Sequence, residues 1–556
     1  MIGRWIGILL LAATAAGADP APGLLDPPDD GRDRLALLEN GYDALLLRVH
    51  LIRQARTSVV IQTFIWSKDE SGALLMAELL AAAQRGVQVR IIADQLVSEK
   101  DPGTIAGLAT AHPNLRIKHY RPAQARLNPS WWHTAWTGLW SFRDLNQRMH
   151  NKILVVDGRA LITGGRNVEN TYFDHSTVMN FRDRDVLAIG PAARAAAASF
   201  EQYWSFPEAV PSLELKDVAA ARARGGHPQY RTRADFDFGG FFTNLVREAD
   251  DPAVIADRFA RHLRPVQRAI FVADQPGKRR VGAAHGRADI TQVLHDTLAA
   301  AQSNVVLQTP YLVLSRPARD LFRGLRRRGL RVRISSNSFA STDNLMAYSA
   351  NYRLRGVCIE DIGLEVHEFK PRPADLLHHC PQFPLLDRLA AERLRRGEQE
   401  RLPFLCVHAK SLVVDDRLAF VGSYNLDPRS ESLNTEAGLL VEDPAFAAEL
   451  RGYIERDLRP GNSWVIARRS LPLGLDAVNG VVDGVLSQSP LDLWPIQNTS
   501  SFELRPGFAE VAPSHPDFHR HYREAGSFPG AEGMLSQKEI VTRLYKVVGA
   551  PLTPIL

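Results

Sequence analysis

A chain of 556 residues with 45% hydrophobic and 23% charged composition has material for two or more cores and is too apolar to be mainly disordered. Its formal net charge of +5 mildly favours anionic partners such as nucleic acid, anionic lipid or phosphate esters, although an arginine-rich solvated surface would give the same balance. The three cysteines, Cys358, Cys380 and Cys406, form no CxxC pair, which argues against both a disulfide framework and a structural zinc site.

The chain begins MIGRWIGILLLAATAAGADPAPG, one arginine ahead of an apolar run from Ile6 to Ala16, with Ala16, Gly17 and Ala18 fitting a small-residue cleavage site. Residues 1–18 read as a secretory signal or an uncleaved anchor, and 19–33 as a linker. No other segment is long and apolar enough for a span, so membrane contact would be peripheral. A strand is predicted in SVVIQTFIW (58–66), a helix over Ala73 to Ala83, and a second strand in QRGVQVRII (84–92). NPSWWHTAWTGLW (128–140) holds four of the nine tryptophans and no basic residue. That suits the headgroup level of a bilayer, or a covered core, better than a nucleic-acid groove.

RMHNKILVVDGRALITGGRN (148–167) follows, and it is answered by CVHAKSLVVDDRLAFVGSYN (406–425). Both carry His-x-Lys-x4-Asp, an apolar strand, a small-residue pair and an asparagine at equal spacing. The flanks repeat as well: NVVLQTPYL (304–312) answers the first strand, Ala318 to Arg328 the helix, and RRGLRVRIS (327–335) the second strand. A whole α/β unit is therefore duplicated. Lobe 1 is placed at 34–206 and lobe 2 at 263–461, with a linker or insertion at 207–262 and a C-terminal extension at 462–556 that carries no catalytic role. His378, His379 and Cys380 read as a loop rather than a metal site.

Within a strand, residues i and i+2 share a face, so His150 pairs with Lys152 and His408 with Lys410. If the halves pack about a pseudo-twofold, all four meet in one cleft, joined by Asn167 and Asn425, with Gly165 and Ser423 also at the phosphate. Two lysines, two histidines and two amides make a nest for a phosphate ester. One histidine can attack phosphorus and the other protonate the leaving oxygen. The lysine charges supply what metals often supply elsewhere, so no metal or other cofactor is expected. Each imidazole needs an acceptor on its other nitrogen. Asp183 in the first half and Glu436 in the second are the candidates, with Asp185 as fallback for the first. Asp157 and Asp415 complete the motif and are counted with the catalytic set, although they fall in the turn beyond the strand, where a structural role is expected.

These residues resemble the phospholipase D superfamily, whose HxKxxxxD motif occurs here twice. QTFIWSKDESGALL, GGRN, SNSFASTDN and GSYNLDPRSESLNTEAG further resemble the bacterial cardiolipin synthase C-type branch, over roughly residues 34–460. The resemblance implies an α/β fold of two duplicated α-β-α sandwich lobes packed with pseudo-twofold symmetry. It also implies ping-pong phosphatidyl transfer through a phosphohistidine, with His150 as nucleophile and His408 as acid/base. Phosphatidylglycerol would be the acceptor, and phosphatidylethanolamine or phosphatidylglycerol the donor. The setting would be a bacterial cell envelope, peripheral on the membrane, with no nucleic-acid partner and an open oligomeric state. Gly165 against Ser423 is a departure expected to change the phosphate hydrogen bonds only slightly. A headgroup-hydrolysing phospholipase D, a phosphodiesterase or nuclease on the same machinery, and a non-catalytic membrane scaffold are the alternatives. The intact His, Lys and Asn in both halves argue against the scaffold.

Overall fold

The computed structural model describes residues 24–25, 30–95, 98–129, 146–240, 242–278, 289–470 and 498–531. The N-terminal apolar run and most of the tryptophan-rich stretch lie outside these residues. Among the described residues no helix is long and apolar enough to cross a membrane.

In chain order the strands of the first half are β1 (Arg34–Leu38), β2 (Ser58–Thr63), β3 (Gln88–Asp94), β4 (Leu115–Tyr120), β5 (Ile153–Val156), β6 (Ala160–Gly164), β7 (Met179–Arg182), β8 (Asp185–Ile189), β9 (Ala209–Pro211) and β10 (Arg264–Pro265). The second half adds β11 (Arg268–Ala273), β12 (Asn304–Gln308), β13 (Arg331–Asn337), β14 (Glu365–Phe369), β15 (Phe404–Val407), β16 (Ser411–Val414), β17 (Leu418–Gly422), β18 (Ala437–Glu442), β19 (Ser463–Arg468), β20 (Thr499–Leu504) and β21 (Tyr522–Gly526). One sheet runs β10-β1-β8-β6-β5-β2-β3-β4-β9 and the other β11-β18-β17-β16-β12-β13-β14-β19-β20-β21. Stripped of their edges, both have the same order, so the sequence repeat is a repeat of the fold. β2, β3 and β4 are parallel neighbours, as are β12, β13 and β14, and the motif hairpins β5–β6 and β16–β17 lie antiparallel beside them.

The strands are apolar on both faces because both faces are covered. Helices Gly41–Gln54 and Glu70–Gln84 bury their apolar sides on the outer face of the first sheet, and Ile290–Ala299 and Arg316–Arg327 do so on the second. The predicted helices begin two or three residues earlier than their apolar pattern does. Asp69 and Ser315 cap them by accepting from the amides of Gly72 and Ala318, and Gly86 and Gly329, at φ of +100° and +85°, end them. The inner faces meet in one shared core: Val60, Ile153, Val155 and Leu161 pack in the same cluster as Val306, Val413, Val421 and Leu439.

Two expectations change. Residues 207–262 are more than a linker. β9 closes one edge of the first sheet, and Phe236, Phe242, Leu245 and Phe259 are buried in the first-lobe core. The stretch after 462 continues the second sheet, because β19 pairs antiparallel with β14 and carries β20 and β21 beyond it. The surrounding Pro, Gly and Ser obscure its apolar alternation.

Candidate active site

β7 belongs to neither large sheet. It pairs in parallel with β15, a strand of the other half, matching Met179 with Phe404 and Arg182 with Val407. On the symmetry-related side Met149 bridges Thr435 in the same sense. Each histidine motif is therefore stitched to the opposite lobe by main chain. The His150 N–H donates to the Thr435 carbonyl and the His408 N–H to the Arg182 carbonyl, both at 2.9 Å.

This stitching sets the side-chain partners. Thr435 precedes Glu436, and the His150 Nδ1 lies 2.8 Å from Glu436 Oε2. Arg182 precedes Asp183, and the His408 Nδ1 lies 2.6 Å from Asp183 Oδ2. The acids predicted from sequence are both present at imidazoles, but crossed: each orients the histidine of the other lobe. Asp185, the fallback, instead receives the Arg48 and Arg166 guanidiniums. All four paired side chains are buried.

His150 and Lys152 lie just ahead of β5, and His408 and Lys410 just ahead of β16, so they occupy the bends into the hairpins and not the strands themselves. The Lys152 Nζ donates to the His150 carbonyl at 2.8 Å and stands 5.4 Å from the centre of the Phe64 ring, which also meets His150 edge-on. The Lys410 Nζ lies 2.8 Å from His408 Nδ1 and 3.1 Å from Nε2, and Tyr172 and Phe181 wall the imidazole.

Burial dominates the electrostatics. It pushes His150 down to about 4, with Glu436 opposing and the Lys152 charge assisting. His408 is lowered by burial and then by Lys410, against the pull of Asp183. Burial also lowers both lysines, Lys152 strongly, with Glu436 opposing most at Lys152 and Asp183 at Lys410. Burial acts against the charged form of both acids, yet His150 and Lys152 hold Glu436, and His408 and Lys410 hold Asp183, below the usual carboxylate range. The two histidines, two lysines and two acids thus form one interacting set, a hole that a phosphate anion would complete.

Other predicted residues divide. The Asn167 carboxamide accepts from the Ile65 amide and donates to the Tyr172 hydroxyl, and the Asn425 oxygen is buried without a partner among the described residues. The Ser423 hydroxyl donates to Glu436 Oε2 at 2.5 Å. Gly165 is placed by the acid as well, since a Cβ there would stand 2.2 Å from Asp183 Oδ1. The departure between the two motifs is thus a difference in how the acids are held. Ser430 adds a second hydroxyl, donating to Glu436 Oε1 at 2.7 Å, whereas Asp183 Oδ1 accepts the Arg184 amide.

Asp157 and Asp415 lie away from the imidazoles. Asp157 accepts from the amides of Arg56, Thr57 and Ser58 and the Thr57 hydroxyl; Asp415 does the same for Gln302, Ser303, Asn304 and the Ser303 hydroxyl. Each stands at positive φ, +53° and +54°, which an aspartate tolerates better than most residues. They clamp the hairpin to the start of the neighbouring strand. His378 and His379 end a short helix, Leu376–His379, and not a loop, and His379 Nε2 lies 3.4 Å from Asp457 Oδ1.

The sequence reading missed a supporting layer. Glu39, directly after β1, binds the Arg182 and Arg184 side chains beside Asp183. Asp274, directly after β11, accepts the Glu436 amide at 2.9 Å and the Lys278 ammonium at 2.9 Å. Both positions are acids one step beyond equivalent strands, a signal present in the repeat but in its weakly matching part.

The family model described as cardiolipin synthase, PLD-like domain matches residues 49–204 and again 294–458. The chain belongs to this family of phospholipase D-like enzymes. Among its relatives is the cardiolipin synthase C of Escherichia coli K12, 29% identical over 423 residues that cover 75% of this chain and 83% of that one. An uncharacterized Helicobacter pylori protein is 31% identical over 424 residues, covering 75% and 77%. The phosphatidylserine synthase of Haemophilus influenzae shares the fold, with a TM-score of 0.50 at 16% identity over 76% of this chain and 86% of that one. In this phospholipase D-like enzyme the two family matches contain one His-Lys pair each, and the crossed acids lie inside both matched ranges.

Proposed function

We propose that this enzyme transfers a phosphatidyl group between phospholipids, with phosphatidylglycerol as acceptor and cardiolipin as product, and with phosphatidylethanolamine or phosphatidylglycerol as donor. The observation that carries the reading is the pair of crossed imidazole–carboxylate contacts beside two buried lysines. His150 is the nucleophile. Its lowered pKa leaves the ring neutral, and with Nδ1–H given to Glu436 the Nε2 lone pair is free to attack phosphorus. The Glu436 charge is shared with two serine hydroxyls, so it stabilises an imidazolium less than Asp183 does. His408, paired with the less encumbered Asp183, protonates the departing headgroup oxygen. It then takes the proton of the incoming glycerol hydroxyl, which displaces His150 from the phosphohistidine. Lys152 and Lys410 neutralise the non-bridging oxygens, whose charge grows in both steps. An arriving phosphodiester anion raises the pKa of His408 and the lysines and so supplies the protonated states the reaction needs. The enzyme acts peripherally at a bacterial envelope membrane.

The test is lipid mass spectrometry after incubating the purified protein with phosphatidylglycerol, with and without phosphatidylethanolamine. Cardiolipin that disappears in His150→Ala and His408→Ala is the expected result. Phosphatidic acid alone would make the protein a hydrolase, and DNA cleavage without lipid turnover would sink the lipid reading.

A further inference from the structure

A deep recess in the first lobe lies apart from the catalytic residues. It is a cavity of about 800 Å³ between helices Glu70–Gln84 and Pro102–Ala109, over β3 and β4, roofed by the 230–239 stretch of the insertion. Met76, Ile105, Leu108, Ile117 and Phe236 make its walls apolar, and the exposed Lys68, Asp235 and Asp237 stand at its mouth. That volume lies within the span of small-molecule sites, and an apolar cavity takes up apolar ligands in preference to water. Trp66 is a wall residue, and it pairs with Val168, the residue after Asn167. Phe64, two residues back and about 7 Å along an extended chain, faces His150 and Lys152. One short segment thus touches both the cavity and the phosphate nest. In the second lobe the helix that follows the equivalent strand is longer, Leu345–Gly356.

We infer that this cavity binds one acyl chain of the phospholipid whose phosphate lies at His150. This rests on the phosphatidyl-transfer reading and gives it a lipid-tail site in the first lobe. Its apolar walls fit a hydrocarbon chain, and Trp66, on its wall, stands two residues from Phe64 at the His150 side.

The test uses the purified full chain and two variants that fill the cavity from different walls, Ala73→Phe and Leu108→Trp. Titration with dansylaminoundecanoic acid is expected to show one site in the wild type, weakened at least about tenfold in both variants, the effect of keeping two methylenes out. Turnover of dioleoyl-phosphatidylglycerol against the dihexanoyl lipid should fall by a similar factor, with dihexanoyl turnover and Tm retained. The inference is overturned if the wild type takes up no probe, if both variants bind it unchanged, or if the two lipids lose turnover equally. Uptake that begins only after residues 1–29 are removed would overturn it too, because the chain's own apolar N-terminus would then be the occupant. A wild type inert towards both lipids would refute the transfer reading, with the titration still deciding the cavity.

Discussion

Replacing Gly165 by alanine adds one methyl group in the first lobe and should disable a histidine in the second. The new Cβ would stand 2.2 Å from Asp183 Oδ1 and 2.6 Å from Oδ2, so the carboxylate must swing away from His408 Nδ1. Swinging away breaks a buried hydrogen bond to a charged group, worth about 1.5–3 kcal/mol, or about 10- to 150-fold in rate where His408 must carry a proton. Asp183 opposes the lowering of the His408 pKa, so its departure lowers that pKa further. The alkaline limb of kcat/KM, where His408 loses its proton, should shift to lower pH. Attack by His150 is spared, so trapped phosphohistidine should still form from a substrate whose leaving group needs no proton. Ser423→Ala is the matched control: it removes one of two hydroxyls from Glu436 but leaves the carboxylate on His150, so the rate should change only a few-fold. A Gly165→Ala enzyme no slower than Ser423→Ala, or one that forms no phosphohistidine, would refute the crossed assignment.

Because the neutral form of His150 is the active one, activity on a soluble phosphodiester should survive acidification until the pH nears about 4, where the imidazole takes up a proton; an acid limb at the ordinary histidine value would contradict the burial argument. Asp157→Ala and Asp415→Ala should lower stability by about 1–2 kcal/mol as the amides lose their acceptor, read as a lower Tm, while kcat stays within a few-fold. Both carboxyls are held below their ordinary value, so the stability they add is full above that value and fades as pH falls through the lowered one. A denaturation midpoint that does not drop in acid relative to the alanine variants would argue against the clamp. Chelation is expected to leave lipid turnover intact, since Lys152 and Lys410 supply the positive charge; strong inhibition by chelator would overturn that.

The duplication, the paired His-Lys motifs and the two acids are all legible in the sequence because each depends on spacing within one half. The crossing is not, because it arises where β7 leaves its own sheet to pair with β15, and no local pattern in MNFR or FLCV marks that departure. The Ser423 contact is hidden for a related reason: a serine at the end of a motif strand suits either a phosphate or a neighbouring acid, and the approach of Glu436 is tertiary. The insertion's share in the core is hidden because Phe236, Phe242 and Phe259 are spaced among charges and reach the core singly, not as an amphipathic helix. The position of Asp157 and Asp415 beyond the strand is enough to mark them as turn residues, and they hold that place in the fold.

The exchanged β7–β15 and Met149–Thr435 pairings have a mechanical meaning. Each imidazole is buttoned to the opposite lobe through both its amide and its ring, so any movement that parts the lobes undoes the two catalytic contacts in one stroke. Separation of the lobes therefore silences both histidines together, and a fault at the seam on one side is felt by the chemistry on the other.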